Sequence, residues 1–174
     1  MVQVHLPPPR PLGPSRPATA WQHGGVKWRD LRQQALFGLI DGLNGAVGLA
    51  IGLLRLHSAA DVILVALLAR AGSSAVSMAG AQYQADESGD TRFVRMSRVA
   101  AMGLGYAASA IAPGLGFAFS VRAGVVVAIP VTAAVLAVII WVRSKSVGWV
   151  KAAITTVAIF LLAVGAGLLA SLVG

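Results

Sequence analysis

Asp41 carries a charge where little else does, inside Phe37-Gly38-Leu39-Ile40-Asp41-Gly42-Leu43-Asn44-Gly45, with no charged neighbour along the chain nearer than Arg32 or Arg55. An isolated acid on a helix in hydrocarbon costs roughly 2.5–3.5 kcal/mol, so such a residue has a partner or a task. Two other donors belong with it. Asn44, one turn on, offers a carbonyl oxygen, and Met78, in the next apolar stretch, offers a thioether. A carboxylate with a thioether suits a borderline divalent ion such as Fe²⁺ better than Mg²⁺ or Ca²⁺, which take all-oxygen shells. Plainer readings stand beside this one: Met78 as core filling, Asp41 as an acid bonded to a neighbouring helix.

The elements that position these residues follow from composition. Of 174 residues, 57% are hydrophobic and 11% charged, with a mean hydropathy of +0.78. A soluble domain carries about 25% charged residues, so an all-α integral membrane protein is expected. Runs of mostly apolar residues lie near 35–54, 62–82, 99–119, 123–142 and 152–173. Each can cross about 30 Å of hydrocarbon as a helix, and backbone polar groups in lipid must bond internally. A five-helix transmembrane domain over 34–174 is expected to follow a disordered, Pro-rich, basic tail over 1–33. That tail lacks the apolar stretch of a signal peptide.

Basic residues set the orientation. Arg10, Arg16, Lys27, Arg29 and Arg32 precede the first span; Arg92, Arg95 and Arg98 follow the second; Arg143, Lys145 and Lys151 follow the fourth. The opposite side has Arg55 and Arg122, so the positive-inside rule places the N-terminus in the cytoplasm. Trp28, Trp141 and Trp149 fall at the same boundaries, as interfacial anchors do. Pro113 and Pro130 are expected to kink or end the third and fourth spans. The net charge of +8 sits beside apolar spans, so the partner it implies is a lipid bilayer and not nucleic acid. There is no cysteine, and no nucleophilic triad or paired acid and base can be assembled, so no enzyme is expected.

Counted from the span ends, Asp41 is roughly 9 Å and Met78 roughly 6 Å inside the cytoplasmic boundary. Joined by a short loop near Arg55–Asp61, the first two helices are expected to be neighbours, which lets these side chains meet. Arg70 is placed roughly 9 Å deeper than Asp41 by the same rise, beyond easy snorkelling, so it needs an acid or backbone carbonyls. Ser74, Ser77 and Gln82 share its helix as further candidates for lining a path. His57 and Asp61 read as a solvated turn.

Phe37-Gly38-x-x-Asp41-Gly42-Leu43 in the first span and Ser77-Met78-Ala79 with Tyr83 closing the second resemble the vacuolar iron transporter family. Ala110-Ile111-Ala112-Pro113 and the Gly-rich last span add to the likeness, which covers roughly 32–174. The resemblance implies a five-helix homodimer that moves cytosolic Fe²⁺, sometimes Mn²⁺, in exchange for H⁺, with no permanently bound cofactor. It implies that Asp41 and Met78 match the intramembrane metal path near the dimer axis. The host would be the plasma membrane in a prokaryote, or a vacuolar or other organelle membrane in a eukaryote. Two motifs depart from the family: Arg70 stands where it commonly has glutamate, and Ala81-Gln82-Tyr83 replaces Gly-Glu-Tyr. The family's long Glu-rich cytoplasmic insert is also absent; a short loop with Asp86, Glu87 and Asp90 resembles the insert-free branch. The expected function is divalent-metal export from the cytosol by proton exchange. The alternative is a transport-inactive relative, a membrane interaction protein in which Arg70 fills the metal site by pairing with Asp41.

Overall fold

The computed structural model describes residues 26–86, 89–170 and 172. The Pro-rich tail up to residue 25, and Glu87 of the acidic loop, lie outside the described residues. Five α-helices follow one another: α1 (Trp28–Arg55), α2 (Ala60–Ala85), α3 (Arg92–Ile111), α4 (Val121–Val147) and α5 (Trp149–Ala170), with a 3₁₀ segment (Ala112–Ala118) extending α3. Among the described residues there is no strand. Five helices, the third counted with its 3₁₀ extension, are long and apolar enough to cross a membrane. The protein is an all-α, multi-pass membrane protein.

The helices run past the expected spans at the basic end. α1 starts at Trp28, so residues 28–33, assigned to the tail by their polarity, belong to the first helix. An apolar count stops at the first charges, whereas helical hydrogen bonding continues through the interface while Lys and Arg heads reach for water. The third span is not one uniform helix. Pro113 lies in the first turn of the 3₁₀ segment, where its missing N–H breaks the α ladder. Pro130, by contrast, sits inside α4, which continues on both sides of it.

Two tight links carry strong local signatures. α1 ends with His57 N–H donating to the Leu54 carbonyl (3.1 Å) and Ser58 N–H to that of Leu53 (3.0 Å). This is a Schellman cap, with His57 at the left-handed position (φ 53°). His57 is therefore a turn residue, as expected. Between α4 and α5 only Gly148 intervenes, at φ 83° and ψ 153°, a region that essentially only glycine occupies.

Packing departs from chain order. α1 packs most extensively on α3, and less on α2, to which the short turn joins it. Glycine explains the preference. A Cβ on Gly38 would collide with the Met102 carbonyl, and one on Gly42 with the Tyr106 carbonyl and Ser109 Oγ. A Cβ on Gly105 would lie 2.5 Å from the Ala35 carbonyl oxygen. Small residues spaced by four let backbones touch, and in lipid such packing drives association. The core then forms from Ala46, Ile63, Leu67, Tyr106 and Phe117, all buried. α5 closes on α1 where a Cβ on Gly167 would come within 2.7 Å of the Gly48 carbonyl.

At the basic end, Arg98 ties three elements together. Its Nη2 lies 3.2 Å from Asp30 of α1 and 2.7 Å from Asp90 of the α2–α3 loop, and Nη1 lies 3.2 Å from Asp86. Asp86 and Asp90 of that loop thus serve a structural clasp.

Candidate cation site

Asp41 lies almost at the centre of the 28-residue α1, about 20 Å from Trp28 at 1.5 Å per residue. The depth of roughly 9 Å expected from the apolar span is corrected accordingly, because the helix begins a further seven residues back. The residue is exposed on the chain's surface. Among the described residues its side chain has no hydrogen-bond or ion-pair partner. The face of α1 that carries it is covered further along, at Gly45 by Arg70 and at Gly48 by Gly167. Phe37, one turn the other way, is exposed like Asp41.

Arg70 sits near the middle of α2, about 22 Å from Ala85 by helix rise. Counted from these helix ends, the expected 9 Å offset from Asp41 falls to roughly 3 Å. Yet among the described residues no ion pair joins them. A Cβ on Gly45 would lie 2.5 Å from Arg70 Nη2 and 2.9 Å from Nε, so the guanidinium rests on α1 one turn beyond Asp41. Side chains lean toward their helix N-terminus. For α1 that is the basic end and for α2 the opposite end, so the two leans carry Asp41 and Arg70 apart. Arg70 also lines a cavity of about 320 Å³ with Gly48, Leu49, Gly52 and Gly167, on the side away from Asp41.

The other candidates divide. Met78 is half-buried and packs against the core, the plainer of its two expected roles. Asn44 and Ser74 are half-buried and Ser77 is exposed. Gln82 lines a cleft of about 560 Å³ at the basic end with Gln33, Gln34, Phe37, Ile40 and Arg143. Gln33 and Gln34 were not singled out by motif; adjacent amides just ahead of Phe37, on the approach to Asp41, were the available signal. A further cavity of about 470 Å³, bounded by α1, α4, α5 and the 3₁₀ segment, is lined almost wholly by apolar side chains with Thr132 among them, and offers a cation little.

Among the described residues no three His, Cys, Asp or Glu side chains converge as a metal cluster. A cation held at Asp41 would therefore rely on one carboxylate per chain, supplemented by neutral donors such as the Asn44 carbonyl. No family model, characterised protein or solved structure matches the chain.

Proposed function

We propose that this protein exports a divalent metal ion, Fe²⁺ or Mn²⁺, from the cytosol, with Asp41 as the intramembrane ligand and protons as counter-ions. The observation that carries the reading is Asp41 itself: an exposed acid at the middle of a spanning helix, without a partner among the described residues. In hydrocarbon that arrangement is unfavourable unless a second chain or a cation covers it. The cleft at the basic end, which carries three amides beside Arg143, opens an approach from the cytoplasm. Protonation of the carboxylate would displace the ion, which couples release to a pH gradient. The motif resemblance to the vacuolar iron transporter family, in its insert-free form, points the same way.

A homodimer supplies the missing cover. The outward face of α2 bears Ala69, Gly72, Ser73, Ser77 and Ala81, all exposed, and Gly72 and Gly80 meet nothing within 4 Å. Val62, Val65, Leu68 and Val76 are exposed on the same helix, and α4 and α5 present Val126, Ile129, Ile154 and Leu161 outward, as lipid-facing helices do. Small residues mark helix–helix contact in a bilayer.

The second reading, a transport-inactive membrane interaction protein, is favoured by one observation: a guanidinium resting on α1 one turn from Asp41. Flux separates the two. Reconstituted protein is expected to move Fe²⁺ or Mn²⁺ faster with a proton gradient opposing the metal, and Asp41→Asn to abolish movement. Flux unchanged in Asp41→Asn removes this residue from the mechanism. Wild-type protein that moves neither ion under any gradient leaves the inactive reading standing.

A further inference from the structure

A second feature lies at the basic end, where α1 and α4 run side by side. Arg29 and Arg32 of α1 and Arg143 of α4 line one pocket of about 220 Å³, together with Gln33, Ser146 and Leu36. Three guanidiniums on one small hollow repel one another unless an anion joins them. The chain has little to offer. Of its six acids, Asp30, Asp86 and Asp90 are held by Arg98. Asp41 lies at the middle of α1, Asp61 is in the first turn of α2 at the opposite end, and Glu87 is outside the described residues. Among the described residues none of the three arginines has an ion-pair partner.

One of them is also held in place. Arg143 is half-buried and its Nη1 donates to Thr156 Oγ1 of α5 at 2.9 Å, which fixes the guanidinium at the helix interface. Arginine suits this role because its planar fork presents paired donors to phosphate oxygens. The volume is below the roughly 300–1,000 Å³ of drug-sized ligand sites, so it fits a small charged group and not a large solute. Leu36 and Val142 on its wall, and exposed Trp141 and Trp149 close by in sequence, supply the apolar side that an interfacial ligand needs.

We propose that this pocket binds the phosphate of an anionic phospholipid in the leaflet at the basic end, gripping it between α1 and α4. Basic pockets between transmembrane helices on the cytoplasmic side are suited to such headgroups. The inference rests on the membrane fold and is independent of whether a metal is moved.

The test titrates the purified full chain in neutral detergent with phosphatidylglycerol, phosphatidylcholine or inorganic phosphate, with bound lipid counted by native mass spectrometry. Wild-type protein is expected to retain phosphatidylglycerol selectively. The double variant Arg29→Gln/Arg32→Gln, which removes no hydrogen bond or ion pair among the described residues, is expected to weaken it about 25-fold, at about fivefold per arginine near the surface. Arg143→Lys keeps the charge and loses the fork, and is expected to lose most of the selectivity over phosphatidylcholine. Lys151→Gln removes one charge from the same end outside the pocket and is expected to change little. A loss per charge in Lys151→Gln equal to that in the arginine double variant would show diffuse attraction and overturn the site. Equal retention of phosphatidylcholine would overturn it too, as would displacement of the lipid by equimolar inorganic phosphate, which would make the occupant a free ion.

Discussion

At the scale of single residues, the protein turns on two charges that share a face of α1 without meeting. The types of both, and the fact that each lies within an apolar span, were legible from the chain alone. Their directions were not, because a span counted from hydropathy has no reliable end, and a few residues' error displaces a side chain by a full turn. The guanidinium's place beside Gly45 has an energetic consequence. At a separation of one helical turn and an effective dielectric near 20, two unit charges interact by roughly 3 kcal/mol. A divalent ion at Asp41 would feel about twice that repulsion. Arg70→Gln is therefore expected to tighten Fe²⁺ or Mn²⁺ at Asp41 by at least about tenfold, read as a lower half-saturating concentration in vesicle flux. Arg55→Gln, at the far end of α1, is the control for net charge. An unchanged half-saturation in Arg70→Gln would mean that the guanidinium does not bear on the ion.

At the scale of helices, number and order were legible and the relative extent of each contact was not. Five apolar runs announce five spans, and chain adjacency rightly put α2 beside α1, yet glycine spacing made α3 the more extensive partner. The signal was present in Gly38, Gly42 and Gly105, but nothing in the sequence says which helix a small-residue face will meet. The 3₁₀ segment after Ile111 was likewise visible only as Pro113. Gly42 tests the packing argument and matters doubly, since it adjoins Asp41. Gly42→Ala puts a Cβ against the Tyr106 carbonyl, so α1 must move from α3, at a cost of about 1–3 kcal/mol typical of overpacking. The contrasting site is Gly52, where a Cβ meets nothing within 4 Å. Gly52→Ala is expected to be neutral or to stabilise by up to about 1 kcal/mol through helix propensity. Denaturation in detergent micelles, followed by circular dichroism, gives both values. If the two variants unfold together, close α1–α3 contact is not what holds the bundle.

At the scale of the whole molecule, one chain leaves its candidate ligand uncovered, and the distribution of residue types over its surface says where cover would come from. α4 and α5 turn out Val126, Ile129, Ile154 and Leu161, and α2 turns out alanine, glycine and serine interleaved with Val62, Val65, Leu68 and Val76. Lipid tails fill against bulky side chains, whereas small ones leave grooves that another helix fills better. A second copy docked through α2 would also bring two Arg70 side chains toward one another, so the approach must run nearer Ser73 and Ser77, which share one face. The absence of cysteine makes this directly measurable. Ser73→Cys and Ser77→Cys, each the sole thiol in its chain, are expected to form a disulfide-linked pair under mild oxidation in native membranes, and Val126→Cys and Ile154→Cys are not. Cross-linking only through α4 or α5 would move the interface and leave Asp41 without a partner chain. Cross-linking through α2, with flux retained before oxidation and lost after it, would place the moving boundary between copies at α2.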